Sequence, residues 1–174
     1  MKAFLILTVL LIGGFSLFIY SGIYNVAASE PHLDAVEWIM ETTRDRSVRR
    51  HADKAPGPPE REEANFREGF RHYDEMCVIC HSAPGIEQSE ISKGQNPEPP
   101  DLGEEVLKWS REELFWIVKN GLKMTGMPAF GLSHSDREIG DIVGFITRLP
   151  DISPQEYAGL REEMGRENSV GHSH

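Results

Sequence analysis

The chain has 174 residues, with 28 acidic against 18 basic side chains and a formal net charge of −10. That balance excludes nucleic acid as a partner class, because phosphate recognition needs clustered Lys and Arg. Two cysteines exclude a disulfide framework, and the length fits one ordinary domain with additional segments.

No charged residue occurs from Ala3 to Ser29, and Phe4 to Ile23 is nearly all apolar. Roughly 20 such residues span the hydrocarbon core as a helix, and Tyr20 and Tyr24 fall at its outer end, where amphipathic rings favour the interface. Residues 1–28 are therefore expected to be an N-terminal transmembrane anchor. Val26-Ala27-Ala28 offers a small-residue cleavage site, so a signal segment is the rival reading, disfavoured by the length of the apolar run. Either way the rest of the chain is exported. Lys2 stays cytoplasmic, which predicts a single-pass protein of the inner (cytoplasmic) membrane with its domain facing the periplasm.

Residues 29–59 read as a juxtamembrane helix and a Pro-rich linker. Ser29-Glu30-Pro31 has the composition of a helix start. Leu33, Val36, Ile39, Met40 and Thr43 share one face, and the helix could lie on the membrane surface, pack on the later domain or stand as a solvated spacer. Ala55-Pro56-Gly57-Pro58-Pro59 ends it as a stiff linker.

Residues 60–150 form a self-consistent unit. Phe66, Phe70, Tyr73 and Cys77 make a helical stripe, and Gly69 beside it leaves room for a second helix. Ser110-Arg111-Glu112-Glu113 and Ser135-Asp136-Arg137-Glu138 are two capping boxes, each opening an amphipathic helix. Asn120-Gly121 stops the first of these and Pro150 the second. No strand pattern is present, so the fold class is all-α. The 28 residues between His81 and Ser110 carry Pro84, Pro97, Pro99 and Pro100 and little periodicity. So long a loop in so small a domain requires something large and apolar to pack against. Residues 151–174 hold a short polar helix, Pro154 to Met164, and a terminal Gly171-His172-Ser173-His174 read as a frayed tail rather than a metal site.

Both cysteines of the chain fall in Cys77-Val78-Ile79-Cys80-His81. Cys-X-X-Cys-His is the haem c attachment pattern. Two thiols one helical turn apart can add to the two vinyl groups on one porphyrin edge, and the next residue presents its imidazole to the iron. Cys77 and Cys80 are thus the expected covalent anchors and His81 an axial ligand. A zinc site lacks a second Cys pair, and His72 and His134 do not supply the usual spacing. A thioredoxin-like redox pair lacks its βαβ setting, and a chance motif with inert thiols is the bland alternative. Lys123-Met124-Thr125-Gly126-Met127-Pro128-Ala129-Phe130-Gly131 offers two thioethers. Met127, between a glycine and a proline, is the expected second axial ligand, with Met124 or an open position as alternatives.

The CVICH motif, the helix with Gly69 and Tyr73 before it, the Met-Pro-Ala-Phe loop and the aromatic last helix resemble class I cytochrome c. The resemblance covers residues 60–150, about half the chain. It implies one covalently attached haem c wrapped by three or more helices, the first and last crossing near Gly69 and Phe145. It implies further that the Pro84 carbonyl accepts the His81 N–H, that Leu102 of Pro100-Asp101-Leu102 covers the haem, and that Trp116 and Phe130 complete the pocket. The anchor, the helix of residues 29–51 and the segment after Pro150 lie outside that resemblance.

An iron held by His81 and Met127 has no open position for a substrate, which points to an electron carrier rather than an enzyme. The expected function is a membrane-tethered periplasmic monohaem carrier of single electrons between respiratory redox partners, with no small-molecule substrate. A haem subunit of a larger membrane oxidoreductase is the alternative. A five-coordinate enzyme or gas sensor would need Met127 to be dispensable. Residues 60–150 carry 17 acids and 10 bases, net −7, so a partner with a basic docking patch is expected.

Overall fold

The structure, a computed structural model, describes residues 1–58 and 65–171, the side chains of 167–171 apart. Pro59 of the linker and the terminal His-Ser-His lie outside the described residues. The chain divides into two units, residues 1–32 and 33–174. Among the described residues the regular structure is all helical, with a single isolated bridge between Ala83 and Ile86.

The first unit is helix α1, Lys2–Ser21, which buries no side chain and is long and apolar enough to cross a membrane. Gly22, at φ 66°, stops it in the left-handed conformation that only glycine adopts freely. Tyr24 folds back so that its ring meets Phe18.

The second unit begins with α2, Asp34–Ala52. Its start lies five residues beyond the Ser29 expected from composition. The Glu30 N–H closes a turn onto the Ala27 carbonyl, and extended Leu33 supplies the first helical acceptor, to Val36 and Glu37. Asp34 and Glu37 then place negative charge in the first turn, where the helix dipole favours it. The far end of α2 buries Val48 and Ala52 and packs on α7, Arg111–Asn120. Arg49 lies over the Trp109 ring and 3.8 Å from Glu113, and His51 meets Trp116. Of the three roles open to this helix, packing on the later domain is the one observed.

The central crossing is between α3, Phe66–His72, and α8, Asp136–Ile146. A Cβ on Gly69 would lie 2.2 Å from the Asp141 carbonyl oxygen and 2.9 Å from the Phe145 Cβ, so only glycine lets the backbones approach this closely. The Asp141 carboxylate accepts the Asn65 N–H and ties the start of α3 to the same place. Around the crossing Phe70, Tyr73, Phe145, Ile139 and Ile142 form the core. Both expected capping boxes are present, Ser110 with Glu113 and Ser135 with Glu138.

The core does not stop at Pro150. Ser153 and Glu156 repeat the capping exchange and open α9, Pro154–Gly171, longer than the sequence predicted. Tyr157 is 1 % exposed, packs edge-on against Phe70, and donates its hydroxyl to Asp74 at 2.9 Å. Leu160 and Met164 follow it onto the core, and Arg161 pairs with Asp74. The boundaries read at 59/60 and 150/151 therefore do not separate independent parts. Both flanking helices belong to the unit that contains the paired cysteines. Tyr157→Phe keeps the ring and removes one hydrogen bond to a carboxylate, so it should lower unfolding stability by about 1–2 kcal/mol, measured by urea denaturation. An unchanged midpoint would mean that the tail rests on the core without contributing to it.

Candidate functional site

Helix α3 does not end before the cysteines. It widens into one π-helical turn, Tyr73–Cys77, and continues as α4, Val78–His81. Such a turn is uncommon and tends to occur where a side chain must be aimed out of helical register. Cys77 closes it, and Cys80 and His81 sit in the final turn. The two cysteines are not bonded to each other.

A helix that ends at its functional residue leaves its last carbonyls without intrahelical donors. Here the last three helical carbonyls and that of Ser82 just beyond them each receive a side-chain hydroxyl. The Ile79 carbonyl accepts from Ser89, that of Cys80 from Ser92 at 2.7 Å, that of His81 from Ser82 at 2.5 Å, and that of Ser82 from Tyr73 at 2.8 Å. Ser92 and Tyr73 are fully buried. Ser82 itself has φ 57° and ψ −169°, a conformation costly for any residue with a Cβ and held only because its surroundings dictate it. Ser89 and Ser92 belong to the long loop and its short helix α5, Glu90–Lys93, with Ser89 as N-cap. The aperiodic segment is thus stitched to the cysteine turn by polar bonds, which hydrophobic periodicity does not reveal.

The imidazole of His81 has its Nδ1 2.9 Å from the Pro100 carbonyl oxygen. This corrects the expectation placed on Pro84. Pro84 and Gly85, the latter at φ 79°, occupy a tight turn closed by the Ile86 N–H on the Ala83 carbonyl. Pro100 arrives instead on the residue before Asp101, whose carboxylate caps α6, Leu102–Glu105, through the Gly103 N–H. Burial lowers the His81 pKa, opposed by the Pro100 carbonyl and by Asp101. The ring is therefore neutral near pH 7. Its one proton is fixed on Nδ1 by an acceptor, and the Nε2 lone pair is left to bind a metal.

The methionine loop leaves α7 through Gly121, at φ 64° and ψ −175°. A Cβ there would come within 2.7 Å of the Pro128 carbonyl carbon and 2.8 Å of the Met127 oxygen. The loop is closed by the Leu122 N–H on the Met127 carbonyl, by Thr125 donating to the Leu122 carbonyl, and by the Met127 N–H on the Thr125 hydroxyl. This arrangement separates the two methionines. Met127 is half-buried against the core, whereas Met124 is 81 % exposed. Cys77, Leu102 and Phe130 pack against that same core.

Trp116 does not join them. Its ring meets that of His51 of α2, with the centroids 5.7 Å apart. Trp109 packs on the core instead, with its indole N–H on Glu105.

These residues fit a covalently bound haem. Two thiols not paired with each other stand on one turn, a neutral imidazole offers Nε2, and a thioether is presented from a braced loop over the same apolar core. Burial pushes the Cys77 thiol up to about 12, the mark of an apolar surrounding.

A second histidine answers to pH. His72 is buried, and its ring lies edge-on 5.2 Å from that of His134, with Arg71 beside it and Glu68 and Glu138 the nearest acids. Desolvation first, then Arg71 and His134, lower its pKa below the usual 6.5, while the two glutamates raise it. A depressed histidine contributes stability that is present above the unfolded pKa and is lost as pH falls through the folded one. Wild type should therefore lose more stability than His72→Gln between pH 7.5 and pH 5, as read by urea midpoints. Equal losses in the two proteins would sink the assignment.

An all-helical fold built on a paired-thiol turn that ends in a histidine is the mark of c-type cytochrome domains. Residues 64–146 match the family model described as Cytochrome C oxidase, cbb3-type, subunit III, and this part of the chain is a c-type cytochrome domain that carries one haem c and serves electron transfer. Among curated proteins no match is found.

Proposed function

We propose that the protein is a membrane-tethered carrier of single electrons, its haem domain facing the periplasm, with Cys77 and Cys80 as the covalent attachments and His81 and Met127 as the two axial ligands. The observation that carries this reading is the pair of braced ligands. His81 is oriented through the Pro100 carbonyl and Met127 through Thr125 and Gly121. When bound, the haem supplies an iron that alternates between ferric and ferrous states by one electron. Everything else falls to the chain. Braced ligands move little between the two states, and a filled sixth position leaves no place for a substrate.

The tether limits the carrier's reach. Residues 22–33 join α1 to α2, and a chain of that length extends at most about 40 Å. Since α2 is packed on the cytochrome domain, its partners must lie at the same membrane. The acidic balance of residues 60–150 favours partners with a basic docking rim.

The test is a potentiometric titration of the full-length protein in detergent together with exposure of the ferrous form to carbon monoxide. One single-electron step and an unchanged ferrous spectrum are expected. A rapid carbon monoxide complex would mean an open iron and overturn the carrier reading. The family match favours a second reading, a haem subunit fixed within a membrane oxidase. A stoichiometric partner retained through mild-detergent purification would select it over a free carrier.

A further inference from the structure

The loop between the cysteine turn and α6 makes one contact that neither the haem attachments nor the axial ligands account for. Gln95 follows α5, with its own N–H on the Ser92 carbonyl. Ser92 in turn caps the Cys80 carbonyl, so Gln95 is held close to that cysteine by its own backbone. Its side-chain amide reaches in two directions. The Nε2 donates toward the Cys80 sulfur at 3.6 Å. The same amide lies flat on Gly126, so close that a Cβ on Gly126 would be 2.4 Å from Oε1, 2.8 Å from Cδ and 3.0 Å from Nε2. Gly126 directly precedes Met127 in the chain. One side chain thus touches the second attachment sulfur and the residue beside the thioether ligand.

We propose that Gln95 is a positioning residue that clips the methionine loop to the Cys80 sulfur. The inference rests on the reading of Cys80 as an attachment point and Met127 as a ligand. A thioether accepts hydrogen bonds weakly but does accept them, so the donor remains matched after attachment. The contact also explains why residue 126 is glycine. A methyl group there would displace the amide, the flexible end of a side chain, before it displaced the loop backbone. Losing the amide and adding the methyl therefore release the same clip by two routes, and their effects should not add.

The probe is imidazole, which competes with methionine for ferric iron and is followed by optical titration of the full-length haem-loaded protein. Gln95→Ala should bind imidazole about tenfold more tightly than wild type, as expected for loss of one packed hydrogen-bonding contact. Gly126→Ala should do the same, and the double variant should bind no more tightly than either single one. Gln95→Leu keeps the bulk against Gly126 without the donor. It should lie between wild type and Gln95→Ala in imidazole affinity, with a lower reduction potential than wild type, because a donor at the attachment sulfur favours the electron-rich ferrous state. Met127→Ala is the reference. If it binds imidazole as wild type does, the ligand reading itself has failed. If it binds far more tightly while the Gln95 and Gly126 variants match wild type, or while their effects multiply in the double variant, the clip alone is overturned.

Discussion

Gly69→Ala should leave no cooperatively folded cytochrome domain at room temperature, or destabilise it by at least about 3 kcal/mol. The added methyl would lie 2.2 Å from the Asp141 carbonyl oxygen and 2.8 Å from its carbon, well inside van der Waals contact. Both atoms belong to the backbone in the middle of α8, so no rotamer change relieves the clash. Nor can the helices separate freely. The Asn65 N–H holds the Asp141 carboxylate at one end of the crossing, and the Phe66, Phe70 and Tyr73 rings all meet Phe145 at the other. Separating them would also shift the π turn that leads into Cys77. The control is the same substitution at Gly165, on α9, where a Cβ meets nothing within 4 Å. There alanine should stabilise the protein by roughly 0.5–1 kcal/mol through helix propensity. Thermal melts of the two variants should therefore move in opposite directions. A Gly69→Ala protein melting within a degree or two of wild type would show that α3 and α8 do not cross as described.

What could be read from the sequence was whatever is local or chemically rare. The capping boxes at Ser110 and Ser135 involve residues three apart and form as the pattern requires. The paired cysteines and the Gly-Met-Pro loop combine unusual residues at fixed spacing, so few chemistries compete for them. Gly69 was legible because a glycine beside an aromatic stripe has few other purposes. The failures are non-local. Pro84 and Pro100 are equally plausible partners for His81 on chemistry alone, and only the path of the loop puts Pro100 there, 19 residues away. Trp116 meets His51 because α2 docks on α7, a contact between segments more than 60 residues apart. Tyr157 shares its face with only Leu160 and Met164 on a helix rich in charge, a stripe too short to stand out. Its burial depends on Asp74 and Phe70, more than 80 residues earlier. The four serine and tyrosine hydroxyls on the carbonyls of residues 79–82 escape notice for a related reason. A serine in a loop resembles any other until the helix end it caps is in place.

Met127→Ala should change the visible spectrum of the oxidised protein. It should also lower the reduction potential by on the order of a few hundred millivolts, a sizeable part of the roughly 0.8 V over which axial ligands move haem potentials. A thioether favours the ferrous state, so its loss favours the ferric. The ferrous variant should at the same time bind carbon monoxide, since a position once filled is then open. Met124→Ala should do none of this. Met124 is exposed and carries a positive φ of 63° at the tip of the loop, while Met127 is turned to the core and braced through Thr125. The pair of variants therefore separates ligation from a general loosening of the loop, which would affect both alike. If Met124→Ala alters the spectrum and Met127→Ala does not, the loop presents its other thioether. If neither does, the iron takes no sulfur from this loop, and the electron-carrier assignment loses its structural basis.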